Sequence, residues 1–192
     1  QSLAFCKMKM EVLCENCDSD KETSESMSQV LSLLQEAVEN IRHLIIELYP
    51  PVLYELGFQA ALEWLSDQFK EKYQIIVETE DRGLPIRIDK EVSGILFQAV
   101  RELLFNVVKH AKTDAAGVKI WETEGKVYVT VEDEGNGFDV DSFIRKKGKS
   151  QSFGFLNMKE RLRYIGGRLE VHSKPGKGTR CLITAPLIIP EG

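Results

Sequence analysis

At 192 residues, with 43% apolar and 29% charged side chains, the chain has room for one ordinary globular domain and an appendage. A formal net charge of −5, with no basic block, excludes nucleic acid as an expected partner. No apolar run approaches the ~20 residues that span a bilayer, so a membrane connection is expected only through segments beyond these residues. Gln1-Ser-Leu-Ala-Phe-Cys-Lys7 lacks the basic-then-apolar order of a signal peptide. The four cysteines include Cys14-Glu-Asn-Cys17, but no second ligand pair follows it, and reduced thiols in a cytoplasmic setting are the expectation.

In chain order, residues 1–49 read as an antiparallel helical hairpin. Leu3, Cys6, Met10, Leu13 and Cys17 recur at steps of three and four, as do Met27, Leu31, Leu34, Val38, Ile41, Ile45 and Leu48. One hairpin cannot bury both seams, so two hairpins from two chains should form a dimeric four-helix bundle. Pro50-Pro51 stops the second helix and opens a linker over residues 50–57. From residue 58 to 192 the pattern is that of an α/β sandwich. A short helix spans Phe58–Phe69 and a strand Gln74–Glu80. A long helix then runs from an N-cap at Asp89 to Ala111, burying Val92, Leu96, Ala99, Leu103 and Val107. Strands Gly117–Thr123 and Lys126–Glu132 flank a Glu124-Gly125 hairpin turn. A glycine-punctuated loop leads to a helix over Phe155–Ile165, and strands Arg168–Ser173 and Thr179–Ala185 close the chain. The sheet should be mixed or antiparallel.

Chemistry concentrates in four places. Along the long helix Glu102, Asn106 and Lys109 share a face with His110 one step round, which sets an oxygen ligand, a candidate base and a cation beside an apolar stripe. Asp133-Glu134-Gly135-Asn136-Gly137 ends a strand whose Val127, Val129 and Val131 point one way. A carboxylate there can accept a hydrogen bond from an exocyclic amine, and the glycines let backbone approach a flat ring. Gly154-Phe155-Leu-Asn-Met158-Lys-Glu-Arg161 places a glycine just before a helix whose free amides suit phosphate. Lys174-Pro-Gly-Lys-Gly178-Thr179 is a glycine-rich turn. Each alone is weak: a solvated helix face, an acidic turn, a helix entry and a strand connection describe them equally well.

Their order is not weak. A Glu-x-x-x-Asn helix, Asp-x-Gly-x-Gly after a hairpin, Gly-x-x-x-Met-x-x-Arg, Gly166-Gly167 and Pro-Gly-x-Gly-Thr, in this register over residues 85–187, resemble the Bergerat-fold ATPase superfamily of gyrase, 90-kDa heat-shock chaperones, mismatch-repair ATPases and histidine kinases. The front end, Arg42-His-Leu-Ile-Ile-Glu-Leu-Tyr-Pro50-Pro51, with Asn106-Val-Val-Lys-His-Ala111, is similar to sensor histidine kinases that partner LuxR/NarL-type response regulators. The resemblance implies a two-layer α/β sandwich that binds ATP and Mg²⁺. Asn106 would be the Mg²⁺ ligand and Glu102 the carboxylate near the γ-phosphate, with Lys109 and His110 on the phosphates. Asp133 would read adenine, flanked by Gly135 and Gly137, with Thr179 reaching the base through water. Gly154, followed by Phe155 and Met158, would hinge an ATP lid over about Phe138–Phe153. The implied activity is γ-phosphoryl transfer to a histidine of the dimerisation hairpin, in a cytoplasmic domain that a membrane-anchored sensor could carry.

Two departures stand out. Asn157 and Ser152 occupy positions where the class has glycine, which should stiffen the lid. No His-Asp pair exists in the chain, although the class phosphorylates such a histidine and has a Gln four residues after the Asp. Gln1 matches that Gln, a candidate for dephosphorylating the regulator, so the acceptor is expected about five residues upstream. His43 precedes Leu44 and lies off the seam, which fits a surface histidine. The alternative is a Bergerat-fold ATPase or protein serine kinase with a helical partner-binding arm. A non-enzymatic dimeric scaffold is the third reading.

Overall fold

The computed structural model describes residues 6, 8–10, 28–38, 41, 50–81, 86–140, 142 and 151–188. The chain divides into two compact units, Gln1–Pro50 and Pro51–Gly192. In the first, residues 28–38 are helical, within the stretch expected as the second hairpin helix. Gln1, Cys14, Cys17 and His43 lie outside the described residues. Among the described residues no helix is long and apolar enough to cross a membrane.

The second unit opens with α1 (Pro51–Glu55), in the stretch expected as linker. Proline suits the first turn of a helix because its missing N–H would be unpaired there anyway. Leu53 is only 3% exposed and joins the hydrophobic core, so this turn is part of the unit's packing. Gly57 follows with φ of 93° and caps α2 (Phe58–Tyr73). Phe58, Ala61, Leu62, Leu65 and Phe69 recur at helical spacing and are buried. This helix runs past Phe69 because Tyr73 packs with Phe69 and Phe105 at centroid distances of 5.3 and 5.4 Å. Gln74, expected to begin a strand, instead takes the left-handed C-cap conformation at φ 57°.

Strand β1 (Ile76–Asp81) follows, and the Ser66 hydroxyl donates to its Val77 carbonyl at 2.5 Å. Asp89 caps α3 (Lys90–Asn106), its carboxylate accepting from the Glu91 amide at 2.8 Å. The buried stripe includes the expected Val92, Leu96, Ala99 and Leu103. At Asn106 the helix changes character: Val107–Ala111 is a π-helical turn, ended by Lys112 at φ 55°. β2 (Ala115–Thr123) and β3 (Lys126–Asp133) form a hairpin whose turn residues Glu124 and Gly125 both have positive φ, as a type I′ turn requires. Helix α4 spans Gln151–Tyr164, four residues earlier than expected at its start, and β4 (Arg168–Ser173) and β5 (Thr179–Pro186) finish the unit.

The five strands order as β1-β2-β3-β5-β4, with β1 parallel to β2 and every other pair antiparallel. Helices α2, α3 and α4 pack on the sheet through β1, through β3 and β5, and through β4 respectively. Val118, Ile120, Val127, Val129, Val131, Cys181, Ile183 and Ala185 alternate onto that covered face and are buried. The other face carries cross-strand ion pairs, Lys119–Glu80 at 3.0 Å and Arg180–Glu132 at 3.2 Å. At such exposure these pairs contribute little to stability. The fold is a mixed α/β sandwich of two layers, as the element pattern implied.

Candidate nucleotide-binding site

The site is built from two cross-strand rows at one end of the covered face. Pairing puts Asp133 opposite Thr179 and Thr179 opposite Ser173, a polar row at the strand ends. One pleat further in lie Val131, Cys181 and Val171, an apolar row on the same face. Helix α3 and the π-turn stand over these rows, and Gly137, Phe138 and Phe155 close the side. Asn106, His110, Asp133, Gly137, Phe155 and Thr179 thereby line one cavity of about 200 Å³. Pockets for drug-sized ligands run to roughly 300–1,000 Å³. This one therefore admits a flat heterocycle and leaves an attached polyphosphate to extend along the rim.

Asp133 is the polar focus. It accepts from the Gly135 amide at 2.8 Å and from the backbone and hydroxyl of Thr179. Burial raises its pKa above the ordinary carboxylate value, and the three hydrogen bonds oppose that shift. Cys181 beneath it has its thiol pushed up to about 12, mainly by burial and then by the Asp133 charge. It is thus an uncharged wall rather than a nucleophile.

Three backbones hold the loop after Asp133. The Asn136 amide donates to the Ala111 carbonyl at 2.7 Å, at the end of the π-turn. Gly176 and Gly178 donate to the carbonyls of Asn136 and Gly135 at 2.6 and 2.9 Å. A Cβ on Gly135 would stand 2.7 Å from the Ala111 carbonyl carbon, and one on Gly137 would meet the Gly178 carbonyl oxygen at 2.7 Å. Glycine is required at both by close approach, and at Gly137 also by its φ of 56°. The sequence showed these glycines; it did not show the backbone carbonyls that a Cβ at either would meet.

Other expected site residues fall differently. Lys109 lies on the ring of Phe105, 5.6 Å from its centroid, and does not line the cavity. The expected continuous stripe of Glu102, Asn106 and Lys109 is broken by the π-turn. Its i-to-i+5 bonding spreads each turn over more residues, so residues four apart stand nearly above one another. Asn106 and His110 therefore share the cavity side while Lys109 follows Phe105. Glu102 faces α4, where a Cβ on Gly154 would come 2.5 Å from its Oε1. Gly154 is the fourth residue of α4 and not, as expected, the residue before a helix. Its missing side chain makes space for Glu102. Met158 is buried in the core at 5% exposure, outside the cavity. Leu103, Phe138, Val171 and Cys181 also line the cavity; the sequence pattern places Leu103 in the core stripe and Phe138 at the start of the lid, and puts neither Val171 nor Cys181 in the site. Strand alternation extended from Val131 to Asp133, and from Thr179 to Cys181, was the signal that could have found Cys181.

A wider groove of about 850 Å³ touches Asp133 and Thr179 from the other side, along Glu78, Glu132, His172 and Arg180. Both members of the Arg180–Glu132 ion pair line it, and none of its lining comes from α3. The smaller cavity, with an apolar floor, a half-buried acceptor and polar helix residues, is the one suited to a purine.

A two-layer sandwich with a carboxylate at a strand end, a glycine-held loop and an Asn-bearing helix over an apolar slot defines a nucleotide-binding domain. The chain belongs to the histidine kinase-, DNA gyrase B- and HSP90-like ATPase family, whose sequence model matches residues 91–189. It is 34% identical over 191 residues to the sensor histidine kinase LiaS of Bacillus subtilis, covering 100% of this chain and 51% of that protein. It is 32% identical to the signal transduction histidine-protein kinase/phosphatase DegS of Brevibacillus brevis, over 93% of this chain and 46% of that one. An uncharacterized sensor-like histidine kinase of Chloroflexus aurantiacus is 30% identical over 97% of this chain and 32% of its own length. The chain thus spans about a third to a half of these relatives. Among solved structures, the histidine kinase domain of the Erythrobacter litoralis blue-light activated histidine kinase superposes with a TM-score of 0.61 at 18% identity, over 97% of this chain and 94% of that one. At that identity the likeness speaks to fold alone.

Proposed function

We propose that this chain is the ATP-binding and kinase core of a two-component sensor histidine kinase, together with part of its dimerisation hairpin. The observation that carries this is the convergence of Asn106 and His110, Asp133, Phe155 and Thr179, from four separate sequence motifs, on one purine-sized cavity. Asp133, ionised, accepts the exocyclic amine of adenine; Val131, Cys181, Val171 and Leu103 sandwich the ring and exclude water. Asn106 on the rim offers one neutral oxygen. That fits Mg²⁺, which keeps several waters and takes its remaining oxygens from substrate phosphates. When bound, the ion neutralises developing charge on the polyphosphate. His110 on the same wall can donate to a phosphate oxygen. Glu102, near Gly154, is placed to orient the group that receives the phosphoryl. Lys109 reaches the phosphates only by leaving Phe105.

The heptad seams of residues 1–49 support a homodimer, the kinship with histidine kinases supports a response regulator as partner, and the resemblance carried by Arg42–Pro51 and Asn106–Ala111 supports the LuxR/NarL type, with Gln1 as a candidate for its dephosphorylation. Titration of a fluorescent ATP analogue with and without Mg²⁺ tests the core of the proposal. Submicromolar to micromolar binding that strengthens with Mg²⁺, and loses that dependence in Asn106→Ala, is expected. No binding by the unaltered chain would sink the reading.

A further inference from the structure

Ser173 lies in the same cross-strand row as Thr179 and Asp133, beyond the cavity's lining. Its hydroxyl has three partners. It accepts from the Phe138 amide at 2.8 Å, donates to the Gly178 carbonyl at 2.9 Å, and lies 3.0 Å from the Thr179 hydroxyl oxygen. A serine hydroxyl has one proton and two lone pairs: the Phe138 amide occupies one lone pair, and the proton is open to the Gly178 carbonyl and, where Thr179 is not itself the donor, to the Thr179 oxygen. Thr179 in turn donates its only hydroxyl proton to Asp133. With that proton committed, the Thr179 oxygen can only accept from Ser173. Donors therefore run in one direction, from Ser173 through Thr179 to Asp133, with the Gly178 carbonyl sharing the Ser173 proton.

We propose that Ser173 is a positioning residue of the nucleotide site. It fixes the Thr179 hydroxyl with its proton on Asp133, so that the Asp133–Thr179 row presents acceptors only, and it pins the Phe138 amide at the cavity wall. The inference rests on the ATP-binding reading above and assigns the site's base selectivity to a residue outside the cavity. A row that presents only acceptors favours the exocyclic amine of adenine and repels the carbonyl that hypoxanthine carries at the same ring position. If Ser173 is removed, Thr179 can rotate and offer its proton elsewhere, and the distinction weakens. A side chain that merely filled space would not change the ratio of the two affinities.

The test measures dissociation constants of Mg·ATP and Mg·ITP for the full 192-residue chain and its variants. Ser173→Ala should weaken ATP about three- to tenfold, the scale of one net hydrogen bond, and lower the ATP-to-ITP preference by a similar factor. Ser173→Thr, which keeps a hydroxyl, should restore both. In a Thr179→Val background, Ser173→Ala should change the preference by less than about twofold, because residues acting through one another are not additive. Should Ser173→Ala fold poorly, Ser173→Cys, with its weak donor, carries the same comparison and should lose part of the preference. An unchanged preference in either variant overturns the proposal, as does full multiplicativity with Thr179→Val. Failure of the unaltered chain to bind ATP would overturn the underlying reading and this one together. Normal ATP binding with an indifferent Ser173 would overturn this one alone.

Discussion

At the scale of single residues the site sets stability against function at Asp133. Its folded-state pKa lies above the unfolded value, so the folded state binds the proton more tightly than the unfolded chain does. The stability it contributes is full below the unfolded carboxylate value near ~3.9 and is lost as pH rises through the folded value. At neutral pH the ionised, half-buried carboxylate is retained at a cost. Asp133→Asn should therefore raise or preserve the thermal midpoint at pH 7, and the gain should shrink as pH falls toward 4. The same change should weaken ATP about tenfold or more, since a charged acceptor is lost to the adenine amine. Paired melting curves at pH 7 and pH 4.5 with ATP titration check both halves; a large loss of stability at pH 7 would show the hydrogen bonds outweighing burial. Asp133 and Thr179 were legible in the sequence because strand ends and glycines mark them. Ser173 and Cys181 were not, because they depend on which residue of β4 or β5 faces which residue of β3. Only register decides that.

At the scale of elements, periodicity located almost every helix and strand, and local chemistry fixed two boundaries well: the Asp89 cap and the Glu124-Gly125 turn. The π-turn was invisible. Nothing in Val107-Val-Lys-His-Ala111 favours i-to-i+5 bonding; the turn coexists with a tertiary hydrogen bond, Asn136 amide to Ala111 carbonyl, and a left-handed Lys112. π-turns inside α-helices occur often at functional sites, and this one aims Asn106 and His110 together. Deleting Val108 should let the segment return to α-helix, swing His110 off the cavity and pull Ala111 from Asn136. Far-ultraviolet circular dichroism should stay close to that of the unaltered chain while ATP affinity falls at least about tenfold; intact affinity would mean the turn is incidental. The glycine loop gives a second test. Gly135→Ala drives a Cβ into the Ala111 carbonyl and should lower the melting temperature by about 5–15 °C, equivalent to a few kcal/mol in a chain of this size. At Gly117 an added Cβ meets nothing within 4 Å and φ is ordinary, so Gly117→Ala should shift it by less than about 2 °C.

At the scale of the whole chain, the motifs that define the ATP site and the core that supports them fall within Pro51–Gly192, which is one of the two compact units. The order of weak motifs was enough to reach this architecture, since each motif needs its neighbours only in sequence order and not in known contact. What such motifs cannot supply is an acceptor for the phosphoryl group. The chain has three histidines, at 43, 110 and 172, and none is followed by aspartate. His110 belongs to the cavity wall and should face the nucleotide as a ligand. His172 alternates onto the outer face of β4, on the other side of the sheet from the cavity. A histidine that attacks the γ-phosphoryl must approach from outside the cavity in line with the leaving oxygen, which neither position permits. Incubation of the 192 residues with γ-labelled Mg·ATP should therefore bind nucleotide yet leave no acid-labile, base-stable phosphate on the protein. Addition of a separate dimerisation hairpin bearing a His-Asp pair should produce such a label on that hairpin alone. Acid-labile label on His43 of this chain would instead make the first unit its own acceptor and overturn the expectation drawn from the missing His-Asp pair.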